Sequence, residues 1–226
     1  MLTAAWHTFF SDYVAMTLVA VFVPGIILAL INMPQQILVF VSGLLGNSVN
    51  NSGASGAILA GLVLIAILGI ATAVVRIWLQ FLMAIGATRI QLDIVDGKEP
   101  TFRQLFNSEG IYWRYLWTSV LYGLLIIAGL ILFIIPGIYW AVRYQMTLYA
   151  MVDQKLGVRA AFTRSSELTH GRKWWLIGFG ITMFGVNILG LLVFFVGLIV
   201  TIPLTSLAHF YLYRYLTQNS KSATVK

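Results

Sequence analysis

The chain has 226 residues and a formal net charge of +7; 60% of its residues are hydrophobic, 9% are charged and none is cysteine. This composition excludes an ordinary soluble domain, in which roughly 25% of residues are charged, and the lack of cysteine excludes disulfides and thiolate metal sites. The positive charge would suit nucleic acid, but no basic-aromatic stripe accompanies it, so we expect anionic lipid head groups as partners and no nucleic acid.

Three long stretches without a formal charge dominate the sequence: 13–75, 115–142 and 174–213. Such runs are expected in a bilayer, because a charged side chain at its centre costs about 3 kcal/mol. A helix needs about 20 residues to cross the hydrocarbon core. The sequence therefore predicts an all-α, polytopic helical membrane protein, with a single integral membrane domain over residues 1–226.

The first stretch predicts two spans, which form a hairpin over residues 13–80. The spans cover Tyr13–Asn32 and Ala57–Gln80, and the loop-forming residues Asn47–Gly53 lie between them. Arg76 comes near the end of the second span, where its long side chain can reach the membrane surface. The N-terminus has no basic region and no small-residue cleavage site, so we expect a retained helix and not a cleaved signal peptide.

The other two stretches each predict a further hairpin. Pro136-Gly137 divides the second stretch, because proline cannot continue the helical hydrogen bonds and glycine permits a turn. The third stretch divides near Asn187–Gly190. The four predicted spans are Tyr112–Ile135, Gly137–Val152, Trp174–Leu189 and Leu191–Tyr213, in hairpins 111–152 and 174–213.

The distribution of positive charge selects this six-span arrangement. All 14 Lys and Arg residues lie in 76–114, 143–173 and 214–226, which face the cytoplasm if the N-terminus does. Five spans would put the basic segment 143–173 outside the cell. The positive-inside rule therefore predicts six spans with both termini in the cytoplasm.

Trp113 and Trp174 begin two similar segments, 61 residues apart. Sixteen residues after each tryptophan stands a glycine, Gly129 or Gly190, which opens the sequence GLILFII or GLLVFFV. The first is followed by Pro136-Gly137 and the second, one residue shorter, by Gly197. This match predicts that the second and third hairpins are an internal repeat of one unit.

Two short amphipathic helices are predicted in the cytoplasmic connections. Thr101 and Gln104 have the spacing of a capping box at the start of the first. Gly157 precedes the second and Gly171 ends it. Its apolar face carries Val158, Ala161, Phe162 and Leu168. One apolar and one basic face are typical of a helix in the lipid interface; a docking surface for a soluble partner is the alternative.

Arg143 is the candidate for an intramembrane contact with an anion or a solute. If the fourth span begins at Gly137, Arg143 lies about 10 Å along it, and an ionisable residue at that depth needs a partner. The candidate contacts are Asn187, Tyr139, Tyr144, His209 and an anionic group such as a lipid phosphate. Alternatively, a deep turn at Pro136-Gly137 lets Arg143 reach water.

The remaining polar residues do not predict an enzyme, a cofactor or a metal site. Asp93 and Asp96 have the spacing of a Mg²⁺–diphosphate site, but beside Gly97 they more often mark a solvated turn. His7 and His170 are isolated from each other and from His209, with no HExxH motif and no Ser-His-Asp set. We therefore expect a protein without enzymatic activity.

A series of motifs in the central and C-terminal two-thirds of the chain points to a family. In order these are FIIPGIY (133–139), Arg143-Tyr144, Val152-Asp153, Gly157, Glu167-Leu168-Thr169, Gly171, Trp174, Gly197-Leu198, Thr201-x-Pro203 and Tyr213-Arg214. The series resembles the YciC-like uncharacterised bacterial six-span membrane proteins and is similar to the membrane domain found with some glycerophosphodiester phosphodiesterases. The resemblance implies the bacterial cytoplasmic (inner) membrane and no catalytic domain, and it supplies no substrate.

Two classes of function remain. The repeat and Arg143 favour a permease or channel-like protein for a small or lipidic solute. Coupling to protons or Na⁺ is disfavoured, because no predicted span contains the acidic residues that such pumps use. The alternative is a structural or accessory membrane protein that organises lipids or partner proteins, and a homo-oligomer or a membrane-protein partner is compatible with either class.

Overall fold

The structure, a computed structural model, describes Thr3, Ala5, Trp6 and residues 13–49, 55–108, 110–192 and 196–224. All regular secondary structure in these residues is helical, as the composition predicts. In chain order the helices are α1 (Val14–Val49), α2 (Ser55–Val95), a 3-10 helix (Phe102–Phe106), α3 (Tyr112–Leu132), α4 (Ile134–Tyr144), α5 (Thr147–Gln154), α6 (Val158–Thr169), α7 (Lys173–Leu192) and α8 (Val196–Thr224).

Four helical segments in the described part of the chain are long and apolar enough to cross a bilayer. They are Val14–Ile37, Val63–Val95, Tyr112–Leu132 and Lys173–Leu192. Large apolar side chains also cover much of the surface; Ile135 is 81% exposed and Trp174 86% exposed. A surface of this kind is stable in lipid and not in water. The chain is therefore a membrane protein.

The first hairpin is longer than predicted, and the predicted ends of its spans are wrong. Helix α1 continues past Asn32 to Val49, a length of 36 residues, with Pro24 and Pro34 inside it. Proline is tolerated inside a membrane helix because neighbouring helices and local adjustments satisfy the freed backbone groups. Of the predicted loop, residues 47–49 are helical and residues 50–53 lie outside the described part of the chain.

Helix α2 continues past Gln80 to Val95 because its last turns are packed inside the protein. Met83, Ile85, Ile90 and Ile94 are all almost fully buried there, and each such side chain contributes about 1.5–3 kcal/mol. The 3-10 helix packs against the same region, so closely that a Cβ on Gly86 would overlap the backbone of Leu105.

The second hairpin differs from prediction in its turn and in its second half. Helix α3 ends at Leu132, and the extended residue Phe133 separates it from α4. Pro136 lies in the first turn of α4, where backbone N–H groups have no partner within the helix, so proline costs no hydrogen bond there. The predicted fourth span, Gly137–Val152, is not one helix: α4 has 11 residues, a length of about 16 Å. A turn at Gln145-Met146 then leads into α5.

The third hairpin does not divide at Asn187–Gly190, because α7 runs unbroken to Leu192. The Asn187 side chain, which suggested a loop, instead joins two helices: its amide nitrogen donates to the Met183 carbonyl at 3.0 Å and to Thr205 Oγ1 on α8 at 3.2 Å. Residues 193–195 lie outside the described part of the chain, and α8 extends beyond Tyr213 to Thr224.

The two connections that follow the first and second hairpins form the predicted short helices, with two differences. The first is a 3-10 helix, in which the predicted capping residue Gln104 accepts from the Thr101 N–H at 3.3 Å. The second is α6, which begins after Gly157, and Gly171 follows it with a left-handed φ of 73°. The buried face of α6 packs on protein, contacting α4, α5 and α8. Lipid can therefore reach only its other faces.

Two hydrophobic clusters stabilise this arrangement. One joins α5 and α6 to the ends of the long helices, and the other joins α1, α2, the 3-10 helix, α7 and α8. The fully buried side chains of the first cluster include Met146, Met151, Ala161, Leu212 and Tyr213. The short helices are therefore part of the core and hold the long helices together at one end.

Candidate functional site

Arg143, the predicted intramembrane residue, lies in the last turn of α4 and contacts α6. Its Nε donates a hydrogen bond to Ser166 Oγ at 2.9 Å, and its guanidinium lies 5.4 Å from the centre of the Tyr144 ring. Its backbone carbonyl accepts from the hydroxyls of Ser165 at 3.1 Å and Thr169 at 2.9 Å. The hydroxyl groups of α6 therefore cap α4 and supply a partner for Arg143.

A surface cleft of about 370 Å³ adjoins Arg143. Its lining consists of Arg143, Tyr144, Phe162, Thr163, Ser166, Glu167 and His170. Glu167 pairs with Arg164 at 3.1 Å, an ion pair in which the glutamate is mostly exposed. The cleft thus combines basic, acidic and hydroxyl groups and has no single charge preference.

The other predicted contacts of Arg143 have different surroundings. Tyr139 Oη bonds with the Lys173 ammonium, which also lies over the tyrosine ring, and it has a weaker interaction with the Arg143 guanidinium one helical turn away. Asn187 and His209 belong to a separate group around Thr205: the Thr205 hydroxyl accepts from Asn187, and the Thr205 carbonyl lies 2.8 Å from His209 Nδ1. The structure therefore brings Tyr139 and Tyr144 together with Arg143, whereas Asn187 bonds to α8.

An ionic cluster around Arg214 joins three helices at one end of the protein. Arg214 contacts Asp96 at 2.6 Å and Asp153 at 2.9 Å, and Tyr213 Oη donates to Asp153 at 2.7 Å. Lys98 lies 3.7 Å from Asp93 and 3.6 Å from Asp96. Burial lowers the pKa of Arg214, but the hydrogen bond and charge of Asp153 and the charge of Asp96 outweigh it and raise the pKa overall.

This cluster explains Asp93 and Asp96 without a metal. Both aspartates face cationic side chains, and Asp93 also accepts a hydrogen bond from Gln104 Nε2 at 3.0 Å. Among the residues that the structure describes, no three His, Cys, Asp or Glu side chains are arranged to hold a metal ion. Asp93 and Asp96 thus serve in the polar contacts that connect the end of α2 to its neighbours, and Arg214 of α8 also connects Asp96 to Asp153 of α5.

A polar cleft in the first hairpin is the site that the sequence prediction missed. Asn32, Gln35 and Gln36 of α1 face Ala73 and Arg76 of α2 across a space of about 540 Å³. Val39 and Phe40 complete the lining. Thr72 Oγ1 donates to Gln35 Oε1 at 3.2 Å, and within the described part of the chain the buried Arg76 Nε has no hydrogen-bond partner. We call this space the Arg76 cleft.

The sequence did contain a signal for the Arg76 cleft. Asn32, Gln35 and Gln36 have i, i+3, i+4 spacing, which places their side chains on one face of a helix. Thr72 and Arg76 have the matching i, i+4 spacing on α2. The prediction assigned residues 33–56 to a connection outside the membrane, and the amides were therefore not considered as partners of Arg76.

Comparison of the chain with protein-family models, with curated proteins and with solved structures gives no match. The resemblance to the YciC-like group is therefore still a prediction. Function has to be argued from the chemistry of the three polar regions: the cleft at Arg143, the ionic cluster at Arg214 and the Arg76 cleft.

Proposed function

We propose that the chain is a non-enzymatic, YciC-like protein of the bacterial cytoplasmic membrane that acts as a permease or channel-like protein for a small or lipidic solute. The Arg76 cleft is the observation that carries this proposal. It puts one guanidinium and three amide side chains between two apolar helices, α1 and α2. Polar and ionisable residues inside spans are costly and commonly mark a substrate pathway.

The arginines of the two candidate sites, Arg143 and Arg76, differ in the hydrogen bonds that they make within the protein. Arg143 Nε has Ser166 as a partner, and the adjoining backbone carbonyl is capped by two hydroxyls. Arg76 Nε is buried and has no hydrogen-bond partner among the described residues. A buried donor without a partner costs about 1–3 kcal/mol, and a passing solute could satisfy it. Arg76 is therefore a better candidate than Arg143 for contact with a solute.

For the topology, we propose six crossings with both termini in the cytoplasm. Helix α8 has 29 residues, about 43 Å, and is therefore long enough to cross although its mean hydropathy is lower than that of the four candidate spans. The fourth crossing would be a broken one, made of α4, the turn at Gln145-Met146 and α5. Broken helices are tolerated at membrane depth where other protein elements cover them, and α6 covers this one.

We also propose that the second and third hairpins repeat one unit, and matched glycine contacts support this. Near the tip of the second hairpin, a Cβ on Gly129 would lie 2.7 Å from Gly137 Cα. Near the tip of the third, a Cβ on Gly197 would lie 2.8 Å from Gly190 Cα. The sequence match aligns Gly129 with Gly190 and Gly137 with Gly197, so the two contacts join corresponding residues. Trp113 and Trp174 are each the second residue of their helices.

The transport proposal requires that water reach the Arg76 cleft, and single cysteines in this cysteine-free chain test it. We expect Gln36→Cys and Ala73→Cys, which line the cleft, to react with a small hydrophilic thiol reagent in membranes. Ile67→Cys and Val74→Cys are the matched controls, because these side chains of α2 are 57% and 61% exposed on the apolar surface. Equal protection of all four cysteines would overturn the proposal.

A structural or accessory role in organising lipids is the second candidate function. It is favoured by a cationic and aromatic surface at the start of α7, where Arg172 and Lys173 adjoin the exposed Trp174 and Trp175. Basic and aromatic side chains together are typical of the membrane–water interface, and basic clusters attract anionic lipids. Protection of the cleft cysteines from the thiol reagent would favour this role over transport.

A further inference from the structure

We propose that the Arg76 cleft binds a phosphate group, carried either by an anionic lipid or by a small soluble phosphate ester, with Arg76 as the anchoring residue. The inference rests on the proposed function for the use of this site in transport, and it adds the chemical class of the ligand. Three observations carry it: the charge of the cleft, the geometry of its polar groups and its apolar margin.

No acidic residue lies near Arg76 in the sequence of the two helices that form the cleft. No aspartate or glutamate occurs from residue 13 to residue 92, which covers all of α1 and most of α2. The lining of the cleft is otherwise neutral, with three amides, one alanine and two apolar residues. A guanidinium in such a setting attracts an anion, because nothing in its surroundings offsets the cost of the charge.

The polar groups are arranged to donate hydrogen bonds. The planar guanidinium matches the geometry of phosphate oxygens, which it can bind by two parallel N–H bonds. The side chains of Asn32 and Gln36 add amide N–H donors on the opposite wall. Gln35 is held by α2, since Thr72 donates to its Oε1 at 3.2 Å. Gly69 leaves room for this contact, because a Cβ there would lie 3.3 Å from Gln35 Nε2.

The size and margin of the cleft suit a phosphate with an organic group attached. A volume of about 540 Å³ exceeds what a phosphate ion needs and is typical of sites for small molecules. Val39 and Phe40, 56% and 67% exposed, continue the lining as an apolar surface. A glycerol group or the start of an acyl chain would lie against these side chains while the phosphate contacts Arg76.

Binding to the full-length protein in a neutral detergent tests the inference and identifies the source of the phosphate. The probes are dihexanoyl phosphatidylglycerol, its zwitterionic phosphatidylcholine analogue, glycerol phosphate and inorganic phosphate, each titrated by calorimetry. Binding of phosphatidylglycerol alone identifies an anionic lipid, whereas binding of glycerol phosphate or inorganic phosphate identifies a soluble ligand. Failure of all anionic probes to bind the wild-type protein overturns the inference.

Variants tie the binding to Arg76. We expect Arg76→Gln to weaken binding of the anionic probe about tenfold or more, because a hydrogen bond to a charged group is lost. Arg103→Gln removes the same charge from an exposed position outside the cleft and should bind like the wild type. If Arg76→Gln fails to fold, Arg76→Lys takes its place, since lysine keeps the charge but loses bidentate binding. Wild-type affinity in the folded Arg76 variant overturns the inference.

The binding result and the cysteine-labelling result fail independently. If the cleft cysteines react but no anionic probe binds, the water-accessible pathway stands and its solute is not a phosphate. If phosphatidylglycerol binds through Arg76 but the cleft cysteines are protected, the site holds a lipid in a protein that does not transport.

Discussion

Arg214, Arg143 and Arg76 bring the same side chain into three different surroundings. Arg214 faces two carboxylates, Asp96 and Asp153. Arg143 has a hydroxyl partner and a neighbouring aromatic ring. Arg76 lies among amide side chains, and no described residue pairs with its buried Nε. Nε of Arg214 is unpaired in the same way, but the terminal nitrogens of Arg214 bind carboxylates. The first arrangement suits a fixed structural joint, the second a helix end that packs on α6, and the third a ligand site.

The loss of stability in each arginine variant should depend on the interactions that the arginine makes. Arg214→Leu leaves Asp153 without its cation and Asp96 with Lys98 alone, and we expect it to lower the free energy of unfolding by about 2 kcal/mol, because hydrogen bonds to charged groups are lost. Arg143→Leu removes one side-chain hydrogen bond, while the hydroxyl bonds to its backbone carbonyl stay in place, so we expect a loss of about 1 kcal/mol. Denaturant unfolding of both variants in detergent measures the difference.

Equal losses in the two variants would contradict this assignment of structural roles. A folded Arg143→Leu protein also permits the functional question to be asked directly. If it loses transport or lipid binding while it keeps its stability, Arg143 is a second contact for the ligand; if it behaves like the wild type, Arg143 only joins α4 to α6.

At the scale of helices, the paired glycines determine how closely the hairpins can close. A Cβ on Gly129 would come within 2.7 Å of Gly137 Cα and 2.8 Å of the Trp140 ring. The backbones of α3 and α4 therefore touch near the tip of the hairpin, and Tyr122 Oη donates to the Ala141 carbonyl at 3.1 Å further along. Small residues at helix contacts are common in membranes. The hydrophobic effect does not drive helices together in lipid, so association depends on close packing.

Alanine at Gly129 should consequently destabilise the second hairpin. We expect a cost of about 1–3 kcal/mol, because the added methyl group forces the two backbones apart. Gly123→Ala is the matched control in the same helix: no atom lies within 4 Å of its added Cβ. It should be neutral or slightly stabilising, since alanine is the better helix former. Thermal unfolding of the two variants checks this, and a tolerated Gly129→Ala would argue against the close contact.

Helix content was predictable from the sequence and helix ends were not, for physical reasons. Uncharged apolar runs predict helices because only internally bonded backbone is stable in lipid. The ends depend on partners distant in sequence: Gln35 bonds to Thr72 of α2, and Asn187 bonds to Thr205 of α8. In isolation an asparagine such as Asn187 favours a turn. The Arg76 cleft was missed for this same reason, because Gln35 and Gln36 were assigned to the connection 33–56.

At the scale of the whole molecule, three basic segments meet at one end. Arg214 of α8 contacts Asp96, next to the end of α2, at 2.6 Å. Arg164 of α6 donates to Ser220 of α8 at 3.0 Å. The segments 76–114, 143–173 and 214–226 are thus joined by direct contacts, in addition to sharing an excess of positive charge. A membrane protein with its basic segments joined in this way has them on the same side of the bilayer.

The side of the membrane on which this end lies can be determined with single cysteines. Because all 14 Lys and Arg residues occur in the joined segments, the positive-inside rule predicts that these segments face the cytoplasm. In intact cells, an impermeant thiol reagent should therefore label Asn50→Cys and leave Arg159→Cys and Lys221→Cys unlabelled until the cells are permeabilised. Labelling of positions 50, 159 and 221 together in intact cells would support five spans and would contradict the contact between Arg214 and Asp96. Labelling of both 159 and 221, but not of 50, would keep the fold and reverse its orientation.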